Sequence, residues 1–138
     1  DILVTKKDFK NIISIIKKES KKYKDIFSVN FIKDNDYKSK IRFLEGNKLH
    51  YQIDVSFIIE FCDNNFTNKI IESKLKSRNY FIPTKQYELW IRIIEYKLNN
   101  KKTHHFDYII KNKNLINFSL IENKELKDYT HKLLNEII

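Results

Sequence analysis

The stretch KLHYQIDVSF, Lys48–Phe57, decides how the rest of the chain is read. Leu49, Tyr51, Ile53, Val55 and Phe57 alternate with His50, Gln52, Asp54 and Ser56. That period of two predicts a strand with one apolar and one polar face. It is entered just after Gly46, the single glycine, and Gly46-Asn47 suits a tight hairpin turn. Asp54 is therefore expected on a rigid element, which holds site geometry better than a loop does.

Working outward, Ile41–Leu44, extended by Glu45, reads as the partner strand, and Asp34-Asn35-Asp36 as the turn before it. Phe27, Val29 and Phe31 alternate within a further strand at Ile26–Ile32. Phe9, Ile12, Ile13 and Ile16 recur at helical spacing, and Thr5 with Asp8 resembles a capping box that opens this helix. Asp1–Val4 reads as a short strand. Beyond Phe61 the period becomes helical, with Ile70, Ile71 and Leu75, then Tyr87, Trp90, Ile91, Ile94 and Leu98, then His105–Lys111 after a polar loop at 99–103, and lastly Leu126–Ile137. Pro83 and Thr84 form an extended link between helices. The expected class is α+β: a small mixed or antiparallel sheet with strands near 1–4, 26–32, 41–45 and 49–57, a helix at 6–23, and an all-helical C-terminal half. Residues 1–65 form the expected α/β core and 66–138 a helical region packed on it.

Composition bounds the function. The chain has 138 residues, 41% hydrophobic and 33% charged, which describes a globular rather than a disordered chain. No apolar run approaches the roughly 20 residues of a membrane span, and no signal-peptide layout opens the chain. One cysteine, Cys62, rules out an internal disulfide and fits a reducing, cytoplasmic setting. The formal net charge of +9 favours a polyanionic partner, although lysine is spread along the chain as in proteins of AT-rich genomes. The chain contains no methionine and opens on an already strand-like Asp1-Ile2, so its natural beginning is expected to lie upstream.

Three groups of residues carry chemistry. If the first strand neighbours the Asp54 strand, Asp1 and Asp54 converge, and hard carboxylate oxygens are what Mg²⁺ and phosphoryl chemistry require. His50, four residues before Asp54 on the same expected face, and Lys97 with Arg92, if their helix packs over the sheet, are candidate phosphate contacts. His104, His105, Asp107 and His131 lack any established zinc-site spacing. The Lys17-Lys18 and Lys21-Lys22 pairs close the first helix, where cations suit the macrodipole, and they are a candidate RNA contact. A single glycine excludes a P-loop and a Rossmann fingerprint, and no nucleophile elbow is present.

Taken together, Asp1-Ile-Leu-Val-Thr-Lys-Lys-Asp-Phe-Lys10, a helix, a β-meander and then a strand with an isolated aspartate resemble the nucleotidyltransferase superfamily. The nearest likeness is to the uncharacterised bacterial nucleotidyltransferase-like proteins often associated with surface-polysaccharide loci. The resemblance implies that Asp1 matches the second aspartate of an Asp-x-Asp pair and Asp54 the third carboxylate, both as Mg²⁺ ligands, with Asp54 also placed to help deprotonate the acceptor. It implies a nucleoside triphosphate and an unknown acceptor as partners. The family's Gly-Ser turn and first aspartate would fall before residue 1, so this chain holds at most two of the three carboxylates. The alternative is a non-catalytic basic module that binds nucleic acid through lysines and exposed tyrosines.

Overall fold

The computed structural model of the chain describes residues 1–99 and 101–137; Asn100, inside the expected 99–103 loop, and Ile138, at the end of the expected helical region, lie outside them. The described residues form an α+β chain of two compact units, Asp1–Ile58 and Ile59–Ile138. The division falls several residues ahead of the 65/66 boundary expected from the change of period.

In the first unit, β1 (Ile2–Leu3), β2 (Ser28–Asn35), β3 (Lys38–Glu45) and β4 (Lys48–Ser56) make a four-stranded sheet in the order β1-β4-β3-β2. β1 runs parallel to β4, and the other pairs are antiparallel, so the sheet is mixed. Gly46 has φ +60 at the first of the two residues linking β3 to β4, the place where a II′-type hairpin turn needs glycine. Nothing lies within 4 Å of a Cβ built there, so backbone conformation rather than crowding selects the residue.

α1 (Phe9–Ser20) covers one face of this sheet. Thr5 and Asp8 do contact each other before it: the Thr5 hydroxyl donates to Asp8 Oδ2 at 2.6 Å, and the Asp8 N–H donates to Thr5 Oγ1 at 3.2 Å. Phe9, Ile12, Ile13 and Ile16 pack against buried Val4, Ile41, Val55 and Phe57, and the Phe9 and Phe57 rings meet edge-on at 5.0 Å. Burying each such side chain contributes about 1.5–3 kcal/mol.

Several strand limits differ from expectation, with β1 confined to Ile2–Leu3 and β2 opening at Ser28 rather than 26. β3 begins at Lys38 rather than 41, because Lys38, Lys40 and Arg42 alternate with Ser39 and Ile41, and polar residues hide the first half of the period. β2 runs to Asn35 and absorbs much of the expected turn. A bulge between Lys33 and Asn35 takes up the extra residue, and Asn35 Oδ1 accepts from the Tyr37 N–H at 3.0 Å to close the turn.

The second unit contains α2 (Asn64–Ser73), α3 (Lys85–Leu98), α4 (Thr103–Asn112) and α5 (Lys124–Ile137). It is not all-helical. β5 (Leu75–Ser77) and β6 (Tyr80–Ile82) form a hairpin between α2 and α3. Leu75, read with Ile70 and Ile71 as the start of a helical period, instead pairs with Ile82; three-residue strands are too short to display a period. Asp63 caps α2 by accepting from the Phe66 N–H at 2.9 Å, and Asn123 accepts from the Leu126 N–H at the start of α5. The core comprises Leu89, Trp90, Ile93, Ile94, Ile109 and Leu126, with the Trp90 indole N–H donating to the Asn117 carbonyl at 3.1 Å. Leu98, expected on the α3 stripe, is exposed because it is the last residue of the helix.

Candidate functional site

The strand that follows Asp1 and the strand that carries Asp54 are neighbours in the sheet. Ile2 pairs with Val55 and Leu3 with Ser56 in the parallel β1–β4 ladder. Asp1 and Asp54 each come one residue ahead of the first pair of that ladder. Val55 is fully buried beneath α1, so by alternation Asp54 projects from the opposite face of the sheet.

That face carries a hydrogen-bonded relay which the single-strand reading missed. Arg42 Nε donates to Gln52 Oε1 at 2.9 Å, and Gln52 Nε2 donates to Asp54 Oδ1 at 2.7 Å. Gln52 is thereby fixed in one orientation and holds the carboxylate still. Lys40 is Asp54's cross-strand partner, yet its ammonium lies 2.7 Å from Asp34 Oδ2 on β2. Lys38 comes within 3.8 Å of Asp54 Oδ2, a loose contact that leaves this oxygen lone pairs for another ligand. The Asp54 side chain is only 16% exposed, which strengthens local electrostatics relative to open water. Lys38, Lys40 and Arg42 were legible only once β3 was known to start at Lys38 and to put all three on one face.

His50 does not join this group. The β3–β4 register shifts between Phe43 and Leu44: Phe43 pairs with Tyr51 and Leu44 with Leu49, so His50 is the extra residue of a bulge. Its ring lies 5.0 Å from that of Phe27, which meets Phe43 on the helix-covered side. The period-two count that put His50 and Asp54 on one face fails at that bulge.

Lys97 belongs to the second unit. Its ammonium lies 3.1 Å from Glu125 Oε1 and over the rings of Phe61 and Tyr129, at 5.2 and 4.6 Å. Arg92 is tied to Glu88 at 3.3 Å and sits over the Tyr108 ring. His131 stacks on Phe118 at 4.1 Å, and His104 lies against buried His105. Among the described residues no three His, Cys, Asp or Glu side chains come together as a metal cluster.

A cavity of about 470 Å³ in the second unit is lined by Cys62, Asp63, Phe66, Lys69, Ile121 and Glu122, among others. Burial, with the Asp63 carboxylate adding to it, pushes the Cys62 thiol up to about 12, so it stays protonated and a poor nucleophile at neutral pH. No helix among the described residues is long and apolar enough to cross a membrane. No family model matches this chain, and neither a curated protein nor a solved structure matches it.

Proposed function

We propose that the chain carries a nucleotidyltransferase-like site on the Asp54 face of its four-stranded sheet. The reaction class is transfer of a nucleotidyl group from a nucleoside triphosphate to an acceptor hydroxyl, forming the acceptor O–P bond, breaking the α–β phosphoanhydride and releasing pyrophosphate. The single observation that carries the reading is the parallel pairing of Ile2 with Val55, the residues that directly follow Asp1 and Asp54.

The donor set suits Mg²⁺, which is commonly held by one or two carboxylates together with substrate phosphates and water. Asp1 and Asp54 would be its protein ligands; once bound, the ion would offset phosphate charge at the reacting centre. Asp54 would also take up the acceptor hydroxyl's proton. Gln52 and Arg42 keep Asp54 oriented, while Lys38, with Lys40 and Arg42 beside it on β3, offers positive charge to the triphosphate.

Calorimetric titration with ATP, GTP, CTP and UTP, with and without Mg²⁺, tests this on the full chain beside Asp54→Asn. The amide keeps the oxygen that accepts from Gln52 and removes the charge. Metal-dependent binding of at least one nucleotide is expected, weakened about tenfold or more in the variant, equivalent to about 1.4 kcal/mol. Equal metal-dependent affinity in both proteins would remove Asp54 from the site.

A further inference from the structure

The opposite, helix-covered side of the first unit carries a second feature that the Asp54 site does not use. A groove of about 630 Å³ runs between α1 and β2, the edge strand of the sheet. Its charged lining is five lysines, Lys6, Lys7, Lys10, Lys17 and Lys33, against one carboxylate, Asp36, which pairs with Lys33 at 2.8 Å and leaves the other four lysines facing no acid of the groove. The imbalance is local: Lys6 to Lys24 holds eight lysines and two acids, Asp8 and Glu19. Asp8 is bonded to Thr5 and Glu19 to Lys22, outside the groove.

The floor is aromatic and aliphatic, with Phe9, Ile13 and Phe57 largely covered and Phe31 37% exposed. Lys17 holds its ammonium 5.1 Å above the Phe31 ring, so a cation and an aromatic face occupy one place, and the ammonium uncovers that face for a base by swinging to a phosphate. Lys10 and Lys17 lie seven residues apart on the same side of α1, about 10 Å by helical rise. That distance spans about three stacked nucleotides at about 3.4 Å each.

We propose that this α1–β2 groove binds single-stranded nucleic acid, with the lysines on successive phosphates and a base stacked on Phe31. Charge complementarity requires a polyanion. The Lys17–Phe31 pairing favours a nucleotide over an acidic peptide, because a nucleotide offers both a phosphate to the ammonium and a flat ring to the aromatic. A duplex keeps its bases stacked on one another and cannot present one to the floor of the groove. The site does not depend on Asp54.

The test is fluorescence anisotropy of the full chain with labelled single-stranded RNA and DNA of about twelve nucleotides, within the range one small binding surface covers, without Mg²⁺ or nucleoside triphosphate. Its failure therefore leaves the Asp54 reading untouched. Four or five lysine–phosphate contacts give a logarithmic salt slope of about −3, so affinity falls about 60-fold between about 50 and 200 mM salt. The triple variant Lys10→Glu, Lys17→Glu, Lys33→Glu is expected to lose at least 100-fold, whereas the equal charge change at exposed Lys76, Lys111 and Lys132 of the second unit costs less than threefold. Phe31→Leu, with unchanged circular dichroism, loses about tenfold. Asp36→Asn gains about twofold as the groove's one carboxylate is neutralised.

Equal loss in the two triple variants would make the binding diffuse net charge and overturn the proposal. Equal affinity for a duplex, or no loss in a folded Phe31→Leu protein, would overturn the stacking that defines it. Tighter binding of a Glu-rich peptide than of either oligonucleotide would assign the groove to an acidic peptide instead.

Discussion

The two units invest their residues differently. Of the sixteen buried apolar side chains among the described residues, the first unit holds four, Val4, Ile41, Val55 and Phe57, and the second holds twelve. A small sheet covered by a single twelve-residue helix buries one face only. In the second unit, α3 contributes six buried residues, of which Tyr87, Trp90 and Tyr96 pack ring to ring on Phe66, Phe118 and Phe106. The first unit in return presents a polar relay on one side of its sheet and a lysine groove on the other. Substitutions in the second unit should therefore register as lost stability, and surface substitutions in the first as lost binding.

The most severe way to break this contrast is Trp90→Ala. The side chain is fully buried and its indole bonds Asn117, so the loss should be about 3–5 kcal/mol by urea unfolding. A loss below about 1 kcal/mol, the centre of the range for point mutations in general, would mean the second unit is not held by that core. Asp63→Ala comes next, removing the cap on the Phe66 N–H at a cost of about 1 kcal/mol.

A smaller, pH-dependent effect falls on His105. Burial, reinforced by the positive charge of nearby His104, Arg92 and Lys102, holds its folded-state pKa below the ordinary value. The unfolded chain then binds the proton more readily, so this residue's share of stability is complete above about pH 7 and declines as pH falls through about 6.5. Melting temperature should drop from about pH 7 to about pH 5, and the drop should be smaller in His105→Gln. An identical drop in both proteins would assign the acid sensitivity to other groups.

The smallest stability effect is expected from Asp54→Asn. Gln52 keeps its acceptor, and the 3.8 Å contact with Lys38 is loose, so the change should stay under about 1 kcal/mol while metal-dependent nucleotide binding weakens about tenfold or more. A larger destabilisation would make Asp54 a structural residue and erase the contrast between the units.

Much of this organisation was legible in the chain. β4 could be read because five apolar residues alternate without interruption, and α1 because Phe9, Ile12, Ile13 and Ile16 hold their spacing. The β5–β6 hairpin was not, since its turn uses Arg78 at φ +50 rather than glycine and its strands are three residues long. In the candidate site, Asp54 was visible as a carboxylate on a strand, whereas the adjacency of that strand to β1 is a property of the whole sheet and not of either strand alone. The relay through Gln52 and Arg42 depends on cross-strand register, which no single strand displays. His50 was misplaced because one bulged residue reverses the face count of everything before it.

The proposed nucleotidyltransferase-like reading requires a metal in the first unit at Asp1 and Asp54. Backbone amide NMR with trace Mn²⁺ as a paramagnetic stand-in for Mg²⁺ tests it most directly. The account predicts selective broadening of Ile2, Leu3, Val55, Ser56 and Lys40, abolished in Asp54→Asn. Broadening centred on His104 and Asp107, or an unchanged pattern in the variant, would contradict it.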